Sequence, residues 1–545
     1  MIGVRLSSCL LLFELLARAS GVYAVWYSNF PQTLSLPYLS GGQVVVNWGS
    51  LQTGPSTYDW TPLDSAMAAE NRIFTVQVNG AMKPAFLFNL VPRTPNWGNT
   101  QAGDPLGILM YWHPVYVDAY TKFLAALASH LSASPYRSNI LGLRMNFNAV
   151  GTEQIDVPAA NRKASTWIVP PGASNGPDWT AEVSQNYEKI VMDAHVADFG
   201  ALPSSIRVFA RITLDPAILT QPATNQPGGF TYADYFKQGK LYLLYTGGAP
   251  EIPLFQSVAT LYAMYVDYLE PGLTVGYTEP VSDAWGVAGN PASPLPHWST
   301  PPQWNYWRLL SDLALGVSDI ALYGEDLTVA LSATHLGRNV SSDYQLEFDQ
   351  AFQFAARHAG YHADPQNAPG AWIAFRESIT NYPRSAYRQL TDYKRFLTLL
   401  NPQDTVGLDA RRDGAAVPVV ANKTGANEQS IGPYNSRFGA WARSLPVGAT
   451  MELQLDSDFA DSVNNVSGAT IGVTYLDDVA NASFITTFGA QSVTTTLTNS
   501  GQWRTVTIPV KSAFAQDSSG GHIAIQSVGA AITFHMVDVE KNGIQ

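Results

Sequence analysis

Two glutamates follow short apolar runs at positions that could share one site. Leu141-Gly-Leu-Arg-Met-Asn-Phe-Asn148 runs into Ala149-Val-Gly-Thr-Glu153, and Leu273-Thr-Val-Gly-Tyr277 runs into Thr278-Glu279-Pro280. Two carboxyl groups facing one bond from opposite sides can hydrolyse a glycoside. One protonates the departing oxygen and the other acts on the far side of the anomeric carbon. The proton donor must hold its proton near the working pH, which takes an apolar pocket or a nearby charge. Each glutamate alone reads better as a solvated loop residue. The pair acquires meaning only if the runs before it are strands whose ends converge.

Such strands recur along the first 330 residues. The candidates are Val25–Ser28, Gln43–Trp48, Ile73–Asn79, Ile140–Phe147, Ile206–Leu214, Leu241–Tyr245, Leu273–Tyr277 and Asp319–Tyr323. Most are near-continuous apolar runs, as expected of parallel strands covered on both faces. Helical patterns lie between them at Leu63–Arg72, His113–Ser132, Thr180–Ala197, Ser257–Leu269 and Pro302–Leu315, and a further one at Tyr344–Ala359. Eight strands mostly separated by helix-sized segments predict a (β/α)8 TIM barrel. A doubly wound sheet is the alternative, but no glycine-rich phosphate loop follows the first strand. A barrel gathers its βα loops at the C-terminal strand ends, and strands four and seven lie nearly opposite, so Glu153 and Glu279 can face each other. Trp48 and Trp285 stand at or just beyond the ends of strands two and seven, where their flat faces would suit the C–H faces of a sugar ring. Packing in the core is the equal alternative for each.

From Ala371 the pattern changes to short strands punctuated by Gly, Asn, Asp and Ser, with clear alternation in Thr505-Val-Thr-Ile-Pro-Val510. That predicts an antiparallel β-sandwich over residues 366–545, after a barrel over 25–365. Thr391–Leu400 reads as a helix, and Asn401–Asn435 as a mostly irregular connection.

Other motifs are weaker. Gly172-Ala-Ser174-Asn-Gly176 matches a nucleophile elbow, but it follows Pro170-Pro171 and precedes Pro177, where a strand and a helix are required. Glu325-Asp326, just past strand eight, is the rival carboxylate pair, with a capping or loop role as the alternative. His358 and His362 have helical spacing, but Gly360 lies between them and no third ligand is evident. Asp456, Asp458 and Asp461 are acidic enough for calcium but lack the EF-hand pattern. No metal and no cofactor is expected for the two-carboxylate reaction.

A charged fraction of 14%, against about 25% in ordinary soluble domains, excludes a disordered chain. A net charge of −12 without any Lys/Arg run excludes a nucleic-acid partner, whose phosphates need clustered cations. Past the N-terminus no run of 18 apolar residues occurs, so no membrane span is expected. Residues 1–24 read as a secretory signal peptide: Arg5, then the apolar Cys9–Leu16, then Val22-Tyr23-Ala24 as the cleavage site. An amphipathic N-terminal helix is the alternative, since Glu14 and Arg18 interrupt the pattern. Cleavage after Ala24 would yield a secreted chain and remove Cys9, the only cysteine, leaving neither disulfide nor thiol nucleophile. Oligomeric state is not readable.

The barrel resembles clan A of the retaining glycoside hydrolases. Val44-Val-Val-Asn-Trp48, followed by Tyr58-Asp-Trp60-Thr-Pro-Leu-Asp64, is similar to the second strand and helix of its β-galactosidase-like members. The resemblance covers roughly residues 25–330 and names the clan, not the family. It implies Glu279 as nucleophile, Glu153 as acid/base, an oligosaccharide or polysaccharide substrate, and preference for β-linkages. It also implies that Tyr245 bonds the nucleophile and that Tyr323 floors the sugar subsite. One departure stands out: the clan has Asn before the acid/base Glu, and this chain has Thr152. The resemblance then leaves either Asn148 or Asn146 to meet the sugar's 2-hydroxyl, or a sugar that differs there. It also leaves a second reading, a saccharide-binding barrel without chemistry and with the sandwich as binding module.

Overall fold

The computed structural model describes residues 21–25, 28, 30–70, 72–200, 206–211, 216–224, 226–245, 277–278, 301–335, 338–375, 392–400, 409–410, 419–421, 427–429, 437–438, 442–465 and 468–542. The fold is a (β/α)8 barrel followed by a β-sandwich, as the sequence predicts. The barrel strands are β1 (Gly21–Val25), β2 (Leu39–Asn47), β3 (Ile73–Asn79), β4 (Ile140–Met145), β5 (Arg207–Arg211), β6 (Tyr242–Tyr245), β7 (Tyr277–Thr278) and β8 (Asp319–Tyr323). The chain falls into two compact units, one holding Tyr23–Thr246 and the other Thr278–Gln545.

In the first unit β2 to β6 form a continuous parallel ladder. It runs from Gly41 opposite Ile73 to Asn47 opposite Asn79, then places Gln77 opposite Arg144 and Gly142 opposite Arg207. Every residue of β1 and of β4 is buried, which explains runs that are apolar apart from Arg144 in β4. Gly41 admits no larger residue, because a Cβ there would collide with the Ile73 carbonyl on β3. Three helices cover this ladder: α1 (Thr61–Glu70), α2 (Pro114–Ala133) and α3 (Ala181–Gly200). His113 caps α2, its Nδ1 accepting the Val115 N–H at 3.3 Å, and Pro114 opens the first turn. Tyr116, Tyr120, Phe123, Leu127 and Leu131 then recur at three- and four-residue intervals on its buried face.

The first strand lies earlier than the sequence pattern suggests, at Gly21–Val25 and not Val25–Ser28. The residues Val22-Tyr23-Ala24, read as a cleavage site, are wholly buried strand. A chain starting at Val25 lacks four of the five β1 residues. We expect it to be insoluble or molten, while a chain starting at Ser20 folds; comparing soluble yield and near-ultraviolet circular dichroism checks this. Equal folding of both chains would make β1 dispensable.

The second unit holds α4 (Pro301–Leu315), β8, α5 (Gly324–Val329) and α6 (Ser342–His358), then the sandwich. One sandwich sheet contains β9 (Gly370–Ala374), β10 (Tyr393–Arg395), β12 (Arg443–Leu445), β14 (Ala469–Asp477), β17 (Gln502–Val510) and β19 (Ile532–Lys541); the other contains β11 (Leu397–Leu399), β13 (Thr450–Leu455), β15 (Ser483–Phe488), β16 (Gln491–Thr496) and β18 (Ile523–Val528). Between them lies an apolar core that includes Ile373, Leu453, Ile471, Phe484, Ile525 and Phe534. The helix expected at Thr391–Leu400 is instead β10 and β11. Tyr393, Leu397 and Leu399 are buried at even spacing, and Phe396, at φ +56°, breaks any helix and passes the chain from one sheet to the other. Asp477, at the end of β14, fastens the turn before β17 by accepting bonds from Thr498, Asn499 and Ser500. Burial acts to raise its carboxyl, but those bonds outweigh it and hold the group far below the usual carboxylate range.

Candidate active site

The exit of β4 is held by hydroxyl groups that reach in from the helices. Tyr116 and Tyr120 of α2 donate to the carbonyls of Asn148 and Asn146, and Tyr187 of α3 donates to that of Phe147, the last two at 2.6 Å. Burial pushes all three phenols well above their ordinary range, so they stay protonated donors. Asn148 takes a left-handed turn at φ +47°, a conformation Asn tolerates better than most residues. Its N–H donates to Thr152 O at 2.9 Å, and Val150 N–H donates to Gln154 O at 3.0 Å, which closes the loop into a tight hairpin.

That hairpin is tied to the end of β3. The Thr152 hydroxyl donates to Asn79 Oδ1 and accepts from Gly80 N–H at 3.3 Å. Lys83, buried, donates from Nζ to the carbonyls of Gly80 and Gly151. Burial lowers its ammonium to about 7, opposed in part by the Asp104 carboxylate. Glu153 emerges from this frame with its N–H on Gln101 Oε1 and its carboxylate ion-paired to Arg144 of β4. A polar ladder across three strands supports the pair: Gln43 of β2 donates to Gln77 of β3 at 3.1 Å, and Gln77 Oε1 also accepts from Arg144 at 3.2 Å.

The ladder, Asn79 and Lys83 carry no sequence signal that singles them out. Arg144 does, since a lone cation inside Leu141-Gly-Leu-Arg-Met145 needs a buried partner. The pair is testable without any substrate. Removing one member of a buried ion pair costs about 3–5 kcal/mol, chiefly by stranding the other. Arg144→Met should therefore lower the melting temperature markedly, and adding Glu153→Gln should recover part of the loss. Simple additivity in a double-mutant cycle would show the two do not interact.

Several expected substrate contacts are committed elsewhere. Trp48 is wholly buried: its ring lies 4.9 Å from Tyr120 and 5.4 Å from Tyr116, and its Nε1–H donates to Gln52 at 2.9 Å. It takes the core role and leaves no face for a sugar. Asn148 is also wholly buried, with its carboxamide over Gly80, and Asn146 Nδ2 donates to Val78 O at 2.8 Å. As placed, neither reaches a sugar hydroxyl. Trp60, part of the stretch that carried the resemblance, stacks on His130 of α2 at 4.6 Å and packs the helices together. Tyr245 is the last residue of β6 and Tyr323, half-buried, the last of β8. Glu279 and Trp285 lie outside the described residues; the strand before Glu279 is β7.

The rival motifs separate in the same way. Asp326 is wholly buried, 3.8 Å from Arg308 of α4, so Glu325 and Asp326 do not face one bond together. Ser174 Oγ lies 3.3 Å from His113 Nε2, but His113 Nδ1 accepts the Val115 N–H, which puts the ring proton on Nε2 and denies Ser174 a base. His358 pairs with Glu540 at 3.1 Å, whereas His362 Nδ1 meets Ser318 at 3.1 Å. Asp456 caps α7 (Ser457–Asn464) through the N–H groups of Asp458 and Phe459. Among the described residues no group of three His, Cys, Asp or Glu could hold a metal ion, and no helix is long and apolar enough to cross a membrane.

No family model matches the chain, and no curated protein does. Solved structures similar to it include the following. One is endo-glycoceramidase II from Rhodococcus sp. with a five-membered iminocyclitol, at 9% identity and a TM-score of 0.37 over 96% of this chain and 98% of that one. The same enzyme as a lactosyl-enzyme intermediate gives 9% identity and a TM-score of 0.35 over 96% and 97%. A polyextremophilic β-galactosidase from the Antarctic haloarchaeon Halorubrum lacusprofundi gives 10% identity and 0.36 over 62% and 58%.

Proposed function

We propose that the chain is a retaining β-glycoside hydrolase that acts on an oligosaccharide or polysaccharide. The observation that carries the proposal is Glu153: a carboxylate one short loop beyond β4, in a loop braced by Tyr116, Tyr120, Tyr187 and Lys83. A loop fixed that tightly holds a side chain in one orientation, as proton transfer to a leaving oxygen requires. Glu279, directly after β7, supplies the second carboxylate. It attacks the anomeric carbon, and Glu153 protonates the departing oxygen and then deprotonates the incoming water. No cofactor takes part in this chemistry.

The ion pair with Arg144 favours a second reading, a saccharide-binding barrel without catalysis. A guanidinium against Glu153 stabilises the carboxylate, whereas a general acid must carry a proton. Thr152, where the clan has Asn, is spent on Asn79 and Gly80. Release of reducing sugar from a panel of polysaccharides, measured beside retention on the same insoluble polymers, separates the readings. Release supports the hydrolase, and retention without release supports the binding protein.

A further inference from the structure

The second unit contains a cleft of about 280 Å³ between the helices α4 and α6 and the outer face of the β14–β17–β19 sheet. Protein interiors hold few voids larger than a water molecule, so a space of this size is occupied by solvent or by a ligand. Its walls state what kind. The pairing of β14 with β19 slips between Thr474, opposite Met536, and Tyr475, opposite Phe534, which makes His535 the extra residue of a bulge. A bulge re-aims the side chain it carries. His535 meets the Tyr306 hydroxyl of α4 at 2.7 Å, and Phe438 lies flat on its ring at 3.8 Å. Beside this plate the hydroxyls of Thr474 and Thr505 bond each other at 2.9 Å across the sheet. On α6, Glu347 faces Arg437 at 3.9 Å, and Arg437 also donates to Gln350.

Each candidate ligand class meets a different obstacle except one. An anion would compete with Glu347 and Gln350 for Arg437, and a cation would compete with Arg437 for Glu347. An apolar ligand would desolvate the hydroxyl proton that the Thr474–Thr505 bond leaves over and the N–H groups of Gln350. A neutral ligand rich in hydroxyl groups satisfies hydroxyls and amide, which both donate and accept, while the half-buried Phe354 supplies apolar surface for ring C–H groups. Ligand pockets commonly span about 300–1,000 Å³, so this cleft takes one or two sugar rings and not a longer chain. We propose that it is a saccharide-binding site, built without any barrel strand end, for one or two rings of a neutral sugar. The choice of sugar among hydroxylated ligands rests on the hydrolase reading.

The test uses the full chain carrying Glu279→Ala, titrated calorimetrically with cellobiose, lactose, mannobiose, xylobiose and chitobiose. One of them is expected to bind, Thr505→Val to weaken that binding at least fivefold, and Ala351→Trp, which fills the cleft from α6, to abolish it. Thr505→Val keeps the side-chain shape and covers the case in which Ala351→Trp does not fold. With the native Glu279, both cleft substitutions should leave hydrolysis of an aryl glycoside unchanged. Binding to none of the five, or binding that both substitutions spare, overturns the site and leaves the hydrolase reading intact. Cleft-dependent binding by a chain that cleaves no glycoside supports the site and removes the hydrolase reading.

Discussion

Glu279→Ala is expected to lose nearly all cleavage of both natural glycosides and activated aryl β-glycosides, a fall on the order of the 10⁶-fold seen when a nucleophile leaves a catalytic unit. Leaving-group quality cannot rescue it, because no glycosyl-enzyme forms. Glu153→Ala should behave differently. It removes proton donation, which a natural alcohol leaving group needs and an activated phenolate hardly does, so natural substrates lose about 10²–10⁴-fold. From an activated substrate this variant still forms the intermediate, and turnover then slows because water lacks its base. Azide, which needs no deprotonation, should restore turnover and give the β-azide with retained configuration. With Glu279→Ala, azide should enter from the face the carboxylate vacated and give the α-azide. The two anomers are distinguished by proton NMR coupling constants. Exchanged anomers would reverse the two roles, and undiminished activity in either variant would remove that glutamate from the site.

The barrel is legible because parallel strands buried on both faces leave mostly apolar runs: Asp319–Tyr323 coincides with β8 to the residue, and Ile73–Asn79 with β3 although Thr75, Gln77 and Asn79 interrupt it. β1 was misplaced because Gly21–Val25 and a signal-peptide terminus share one vocabulary of small and apolar residues. Thr391–Leu400 failed for a different reason. Ten residues with apolar positions at 393, 396, 397, 399 and 400 satisfy a helical period as well as a strand period, and only the left-handed Phe396 decides between them. At the site, the position of Glu153 was readable from the strand before it. Arg144 shows in the sequence only as a cation that needs a buried partner, and Gln43 and Gln77 not at all, since the three become neighbours only through the register of three strands. Trp48 misled because a strand end admits two orientations: its ring turned to α2 and the core.

The second unit is expected to be most stable in mild acid and to lose stability steadily as pH rises toward 8. Three of its carboxyl groups are driven upward by burial. Asp312 of α4, fully buried, reaches about 8 against the pull of Arg308; Asp538 of β19 reaches about 7, helped by Glu540 and opposed by Arg357; Glu347 of α6 reaches about 6, opposed by Arg437. Each keeps its proton in the folded chain at a pH where the unfolded chain, with ordinary carboxyls, has already lost it. The folded state therefore binds more protons, and its stability is fully present below about pH 4 for these groups and is lost as pH climbs through their folded values. Each tenfold gain in proton affinity on folding is worth about 1.4 kcal/mol, so the three together represent several kcal/mol, or a fall in melting temperature on the order of 20 °C between pH 5 and pH 8. Asp477 works in the opposite sense. Its depressed carboxyl contributes stability above the ordinary carboxylate range and loses it as pH falls below about 4. The two trends bracket a maximum near pH 4. Scanning calorimetry from pH 3 to pH 8 reads this directly. Asp312→Asn with Asp538→Asn keeps the shapes, removes two of the three titrations and should flatten the upper limb. A melting temperature that stays level or rises from pH 5 to pH 8, or an upper limb unchanged in the double variant, would show that these carboxyls do not hold their protons in the folded chain.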